Sequence, residues 1–91
     1  MTPEHGTDLE RLIGLEVLDL ARRKGMRQNE LQAASGVEPR SFRRYFVENI
    51  RHIPVEELRK VAAALGVPAS QIVAQAEAKA GSESRDTDGM D

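Results

Sequence analysis

Glycine and proline residues cut this chain into segments of single-helix length. Gly25, Gly36 and Gly66 each follow a run of apolar residues at helical spacing. Pro39 and Pro54 each precede such a run. Glycine tolerates the left-handed backbone that ends a helix, and proline fits the first helical turn, where its missing N–H costs nothing. Because no segment alternates apolar and polar residues as a half-buried strand does, the sequence predicts an all-α fold.

The apolar spacing predicts five helices that pack into one compact domain. Their expected ranges are residues 8–24, 28–35, 39–47, 54–65 and 69–79, with Asp8 as the N-cap of the first. The residues expected in the core are Leu9, Leu12, Ile13, Val17, Leu20, Ala21, Leu31, Ala34, Phe42, Tyr45, Phe46, Leu58, Val61, Ala62, Leu65, Ile72, Val73 and Ala76. We expect residues 1–7 to form a flexible arm, residues 8–80 the domain, and residues 81–91 a disordered acidic tail.

Length and composition exclude several classes of protein. A chain of 91 residues predicts one domain, and the absence of cysteine excludes disulfides and thiolate metal sites. No apolar run approaches the roughly 18 residues of a membrane helix, and the N-terminus lacks the features of a signal peptide. There is no Ser/His/Asp arrangement, no phosphate-cradling glycine loop and no metal-ligand spacing. We therefore expect a cytoplasmic protein that is not an enzyme and uses no cofactor or metal.

The basic residues are concentrated in the middle of the chain. The formal net charge is −2, but residues 22–60 hold ten basic and five acidic residues, while both flanks are acidic. This distribution is typical of a protein with a local anionic partner, but composition alone is equally consistent with solvated basic faces on helices. Arg40, Arg43 and Arg44 stand in the same short stretch as all three aromatic residues. The aromatic residues share one helical face at spacings of three and four, which favours core packing over base stacking.

The second and third helices form a recognisable supersecondary motif. Two short helices joined at Gly36-Val37 and packed on a longer first helix make a helix-turn-helix. Leu31 and Phe42 are then expected to face each other across the core. The third helix keeps one face exposed, and such a helix fits the DNA major groove, which is about 12 Å wide.

Two stretches of the sequence resemble a known family. They are LARRKGMRQNELQAASGV and IPVEELRKVAAALGVPASQI, and with the residues between them they are similar to the lambda-repressor-like (Cro/C1-type) helix-turn-helix domain over roughly residues 9–75. The resemblance implies a compact five-helix DNA-binding domain in which Gln28 touches a DNA phosphate. It implies that the recognition helix offers to DNA Glu38, Pro39, Arg40, Arg43, Arg44 and Val47.

The chain departs from the family pattern in three places. Gln32 stands where the family usually has alanine, so its longer side chain is expected to swing outward. Ala21 and Phe46 replace a usual arginine and glutamate, so a polar pair is expected to become a hydrophobic contact. The segment between Val37 and Pro54 is about two residues longer than is typical, which affects the residues after Arg44.

Further contacts are predicted around the recognition helix and on the back of the domain. Arg27 joins Gln28 at the start of the second helix, where backbone N–H groups favour phosphate. Another candidate for DNA contact is Ser41. The resemblance adds the loop of Asn49, Arg51 and His52, which in this family often meets the DNA backbone, and His52 is expected to be a surface residue rather than a metal ligand or catalytic base. Because two-fold dimers are usual for this motif, a homodimer is expected. Its candidate interface residues, which also suit a protein partner, are Leu15, Leu18, Ile72, Val73 and Ala76.

These observations favour a sequence-specific double-stranded DNA-binding transcriptional regulator, a small bacterial or phage repressor. One alternative is a protein-binding module on the same frame, such as an antitoxin or a phage protein that docks on a host factor. Another alternative is an accessory factor of phage recombination. Steep salt dependence of binding separates the DNA-binding hypotheses from the protein-binding one.

Overall fold

The computed structural model describes residues 7–89, with side chains for residues 7–81. This part of the chain contains five helices and no strand, which confirms the all-α prediction. The helices are α1 (Asp8–Arg23), α2 (Gln28–Ser35), α3 (Pro39–Phe42, continued by a π-helical turn over Arg43–Val47), α4 (Val55–Leu65) and α5 (Ala69–Gly89). We call α3 together with its π-helical turn the third helix. The arm expected over residues 1–7 lies, except for Thr7, outside the described residues.

The N-terminus of α1 is closed by a reciprocal pair of hydrogen bonds. The Glu10 N–H donates to the Thr7 hydroxyl at 3.1 Å, and the Thr7 N–H donates to Glu10 Oε1 at 2.8 Å. This is a capping box, which satisfies two backbone donors that a helix start leaves unpaired. The N-cap is therefore Thr7 rather than the predicted Asp8.

The predicted glycine stops are confirmed. Gly36 ends α2 and Gly66 ends α4, with φ of 77° and 75°, values that are costly for any residue with a Cβ. After Gly66, the Val67 N–H donates to the Ala62 carbonyl at 3.1 Å, the wide bond of a Schellman motif. Each of these two helices thus stops at the position that the sequence predicts.

One hydrophobic core joins all five helices. Its buried apolar members are Leu12, Ile13, Val17, Leu20, Ala21, Leu31, Val37, Phe42, Phe46, Leu58, Val61, Ala62, Leu65, Ile72 and Ala76. Leu9, Tyr45 and Val73, also predicted for the core, are half-buried against it. The prediction was wrong for Ala34, which is exposed, because the next residue, Ser35, is the one that turns inward.

The third helix changes its hydrogen-bonding pattern halfway along. The Glu48 N–H donates to the Arg43 carbonyl at 2.8 Å, five residues back, which defines a π-helical turn. The ring closed by this bond holds one residue more than an α-helical ring. The helix ends at Val47, and two residues later Asn49 has a left-handed backbone with φ of 55°.

Helix α1 packs against both the third helix and α5. At Gly14 the approach is so close that a Cβ there would lie 2.6 Å from the Phe46 carbonyl oxygen. On α5, Lys79 Nζ lies 2.7 Å from Oε1 of the buried Glu16. Helix α5 runs past its predicted end at Lys79 to Gly89. The disorder expected for residues 81–91, of which 90 and 91 lie outside the described residues, stays a prediction.

Among residues 7–89, no helix combines the length and the apolar character that crossing a membrane requires.

Candidate nucleic-acid interface

Side-chain hydrogen bonds fix the turn between α2 and the third helix. Ser35 Oγ donates to the Gln32 carbonyl at 2.7 Å and accepts from the Val37 N–H at 3.2 Å. Gln32 Nε2 donates to the Val37 carbonyl at 2.5 Å. Gln32 therefore reaches across the turn and is half-buried, instead of swinging outward as predicted. These bonds hold the two helices of the motif at a set angle.

The third helix has one buried face and one exposed face. Phe42 and Phe46 are buried, and their ring centroids lie 5.2 Å apart. Tyr45 is half-buried and meets the Phe46 ring edge-on at 6.3 Å. Because the Phe42 and Phe46 rings are buried in the core, they are not available to stack on bases. The three arginines of this helix, Arg40, Arg43 and Arg44, are all exposed.

The exposed face of the third helix shares a surface with the start of α2. A shallow depression of about 170 Å³ lies between the two elements. Its lining residues are Gln28, Asn29 and Gln32 from α2 and Pro39, Phe42 and Arg43 from the third helix. Arg43 and Gln28, both predicted to contact DNA, therefore border the same depression. Asn29 also lines the depression but was not among the predicted contacts, although its position beside Gln28 in the first turn of α2 was a usable signal.

Arg43 is held by a neighbour that sequence analysis also missed. Its Nε donates to Glu48 Oε2 at 2.7 Å, with the two side chains 69% and 38% exposed. Residues five apart do not face each other on an α-helix, so helical spacing gave no signal for this pair. The π-helical turn makes it possible.

The other residues predicted to contact DNA differ in their solvent exposure. Arg27, Gln28, Glu38, Pro39, Val47 and Arg51 are exposed, and Ser41 and Asn49 are half-buried. The Arg27 N–H donates to Glu30 Oε1 at 2.7 Å, so its backbone is used locally while its side chain remains exposed. Asn49 Nδ2 is buried without a hydrogen-bond partner among the described residues. Its amide therefore faces inward rather than outward.

The loop that carries Arg51 is tied to the start of α1. Glu10 Oε2 accepts from the Ile53 N–H at 2.5 Å, and Glu10 Oε1 lies 2.8 Å from His52 Nδ1. Partial burial acts to raise the pKa of Glu10, but the hydrogen bonds from His52, Thr7 and Ile53 outweigh it and hold the pKa below its usual value. His52 is exposed, as predicted, yet its ring contacts Glu10.

The residues predicted for a protein interface do not share one surface. Leu15 is 51% exposed, and Leu18 is half-buried against the core. Ile72 and Ala76 are fully buried in the core of their own chain, so their assignment to a partner surface was wrong. The two residues lie on the face by which α5 joins the rest of the domain. Val73 is half-buried beside them.

Comparison with known proteins agrees with this geometry. A family model described as helix-turn-helix, of the Cro/C1 type, matches residues 18–72, which is more than half of the chain. A search of curated proteins finds no match. The matched range begins within α1 and ends within α5, so it contains the turn, the depression and all three arginines of the third helix. This chain therefore belongs to the Cro/C1-type helix-turn-helix family, whose members are DNA-binding regulators.

Proposed function

We propose that this protein is a sequence-specific transcriptional regulator, a small repressor of bacterial or phage type, that inserts its third helix into the major groove of double-stranded DNA. The observation that carries the proposal is the division of that helix into two faces. Phe42 and Phe46 anchor one face in the core, and the opposite side presents three exposed arginines. A helix held in this way can enter the groove without losing its packing.

The residues around this helix suit contact with the DNA backbone. Arg27 and Gln28 stand exposed at the start of α2, and Arg51 is exposed in the loop fixed by Glu10. Arginine donates to phosphate oxygens, and such contacts set the register of a protein on DNA. Ser41 is only half-buried and can add a hydroxyl contact. For Asn49, whose side-chain amide faces inward, we propose contact through the backbone of the loop.

Salt dependence of DNA binding tests the proposal. Fluorescence anisotropy of the full chain with a generic duplex should give an affinity that falls steeply with salt, because bound phosphates release counterions. Arg40→Ala should weaken binding and reduce the salt slope by about 1 if Arg40 holds a phosphate. Arg59→Ala removes another exposed arginine, from α4 and outside the proposed contacts, and it should leave binding nearly unchanged.

Two results would contradict this function. One is the absence of binding at low salt while circular dichroism shows the helices intact. The other is equal weakening by Arg40→Ala and Arg59→Ala, which would mean that net charge rather than the third helix determines binding.

We also propose that the regulator acts as a homodimer through the back of α1. Leu15 supports this, because a large apolar side chain stands 51% exposed there beside the half-buried Leu18. Leu15→Glu should convert dimer to monomer in sedimentation velocity. Val55→Glu, at a residue that is 70% exposed, is the matched control and should leave the dimer intact. A wild-type chain that sediments as a monomer would contradict the dimer and leave Leu15 available for a different protein, as in an antitoxin-like module.

A further inference from the structure

The three arginines of the third helix are not equivalent. Arg40 and Arg44 have no side-chain hydrogen bond or ion pair to any residue within 7–81, so each can adopt many rotamers. Arg43 is held by Glu48 through Nε at 2.7 Å. Among the three, Arg43 is therefore the one whose guanidinium plane is set before any ligand arrives.

The backbone conformation of the third helix brings Arg43 and Glu48 together. In an α-helix, residues five apart point about 140° away from each other and cannot pair. Here the Glu48 N–H donates to the Arg43 carbonyl at 2.8 Å, which places residue 48 directly beyond residue 43. The same two residues are thus joined twice, once through the backbone and once through their side chains. The π-helical turn brings this carboxylate to the arginine.

Glu48 accepts from Nε of Arg43, so the two Nη groups at the end of the Arg43 side chain are not engaged by this bond. A guanidinium reads guanine by donating from two nitrogens to the N7 and O6 acceptors in the major groove. With Nε donating to Glu48, the two Nη groups remain for that contact. Arg43 also borders the depression that it shares with Gln28 and Pro39, so its side chain lies on the surface common to both helices of the motif.

We propose that Glu48 is a positioning residue that makes Arg43 the guanine-reading arginine of the third helix. The inference rests on the proposed function. It adds that the base contacted is guanine and that Glu48 holds the Arg43 side chain that contacts it. Holding the plane of Arg43 lowers the entropy lost when it meets a base. The Glu48 carboxylate also repels phosphates, so it lowers affinity for all DNA while raising preference for one sequence.

The test begins with selection of binding sites from a randomised duplex library by the full wild-type chain. Each guanine of the selected site is then replaced in turn by 7-deazaguanine, which lacks N7, or by hypoxanthine, which keeps both N7 and O6. At one position 7-deazaguanine should weaken wild-type binding by about tenfold, and hypoxanthine should not. Arg43→Ala should abolish that penalty, whereas Arg40→Ala and Arg44→Ala should retain it.

The decisive comparison is between Glu48→Ala and Glu38→Ala. Both variants remove one exposed carboxylate from the same surface, and Glu38 makes no side-chain cap bond at the start of α3. Both should bind generic duplex more tightly. Only Glu48→Ala should reduce the 7-deazaguanine penalty, to less than half of the wild-type value, with helicity unchanged by circular dichroism.

The remaining outcomes separate this inference from the function beneath it. If Glu48→Ala keeps the full penalty, or if the penalty disappears with Arg40→Ala instead of Arg43→Ala, the role of Glu48 is overturned while DNA binding stands. A selected site without a sensitive guanine has the same consequence. If the chain binds neither the library nor generic duplex, the proposed function fails and the inference fails with it.

Discussion

At the scale of single residues, the carboxylate of Glu10 connects the start of α1 to the loop before α4. It accepts from Thr7 in its own capping box and from the Ile53 N–H, 43 residues away. Half of this arrangement was readable in the sequence, because Thr7 and Glu10 have the spacing of a capping box. The other half was not, because no local pattern shows which distant N–H a carboxylate will reach.

The lowered pKa of Glu10 predicts how its contribution to stability depends on pH. Because the folded-state pKa lies below the ordinary value of 4.5, the ionised form stabilises the fold at pH values above 4.5. That stabilisation decreases as the pH falls below 4.5 and is lost once the pH passes through the lowered pKa. At pH 7, Glu10→Gln should cost about 1 kcal/mol in urea unfolding. The difference between wild type and variant should disappear in acid.

Glu77→Gln is the control for the Glu10 variant, since the Glu77 side chain is exposed and makes no hydrogen bond or ion pair within residues 7–81. It should change stability little at any pH. A Glu10→Gln cost that stays constant from pH 7 to pH 3 would show that the loss comes from packing and not from charge.

At the scale of elements, the helices were largely predictable and the way two of them touch was not. Gly36 and Gly66 mark the ends of helices and Pro39 marks the start of one. The backbone properties of glycine and proline cause this, so the signal can be read directly from the sequence. The π-helical turn over Arg43–Val47 gives no such signal, because its hydrogen-bond pattern has no distinctive residue requirement. For that reason the three arginines could be predicted as exposed, but the partner of Arg43 could not be predicted.

The contact between α1 and the third helix predicts a strong effect of one methyl group. In Gly14→Ala the new Cβ would meet the Phe46 carbonyl oxygen at 2.6 Å, so backbone must move. We expect a loss of about 1–3 kcal/mol in chemical unfolding, the usual cost of overpacking. Gly81→Ala, where a Cβ meets nothing within 4 Å, is the control. It should raise stability by up to about 1 kcal/mol. An equal gain at both glycines would contradict the close approach.

At the scale of the whole molecule, α1 and α5 are joined by an ion pair in which one side chain is buried and the other is half exposed. The side chain of Glu16 is 1% exposed and that of Lys79 is 47% exposed. Glu16 Oε2 is buried without a hydrogen-bond partner among the described residues. Sequence analysis had no means of finding this pair, because its members are 63 residues apart and glutamate is rarely buried.

Because Glu16 is buried and Lys79 is half exposed, the effects of replacing them on the free energy of unfolding should not be additive. Lys79→Met leaves the buried Glu16 carboxylate without its partner and should cost about 2 kcal/mol. The double variant Glu16→Met/Lys79→Met should recover most of that loss, because an apolar contact can replace a buried pair. Lys60→Met, which removes the lysine of the more exposed pair with Glu57, should cost less than about 0.5 kcal/mol. The free energy of unfolding is measured for both single variants and for the double variant. A cost for the double variant equal to the sum of the costs of Glu16→Met and Lys79→Met would contradict this view of the α1–α5 contact.

The proposed function requires that the third helix and the start of α2 form the surface that binds DNA. The most direct measurement is a two-dimensional ¹H–¹⁵N NMR titration of the full chain with duplex DNA. We expect the largest amide shifts at residues 27–29 and 38–51, and little change at Leu15 or in the middle of α5. Shifts concentrated around Leu15 and Leu18, with the third helix unchanged, would contradict the claim and assign binding to the back of α1.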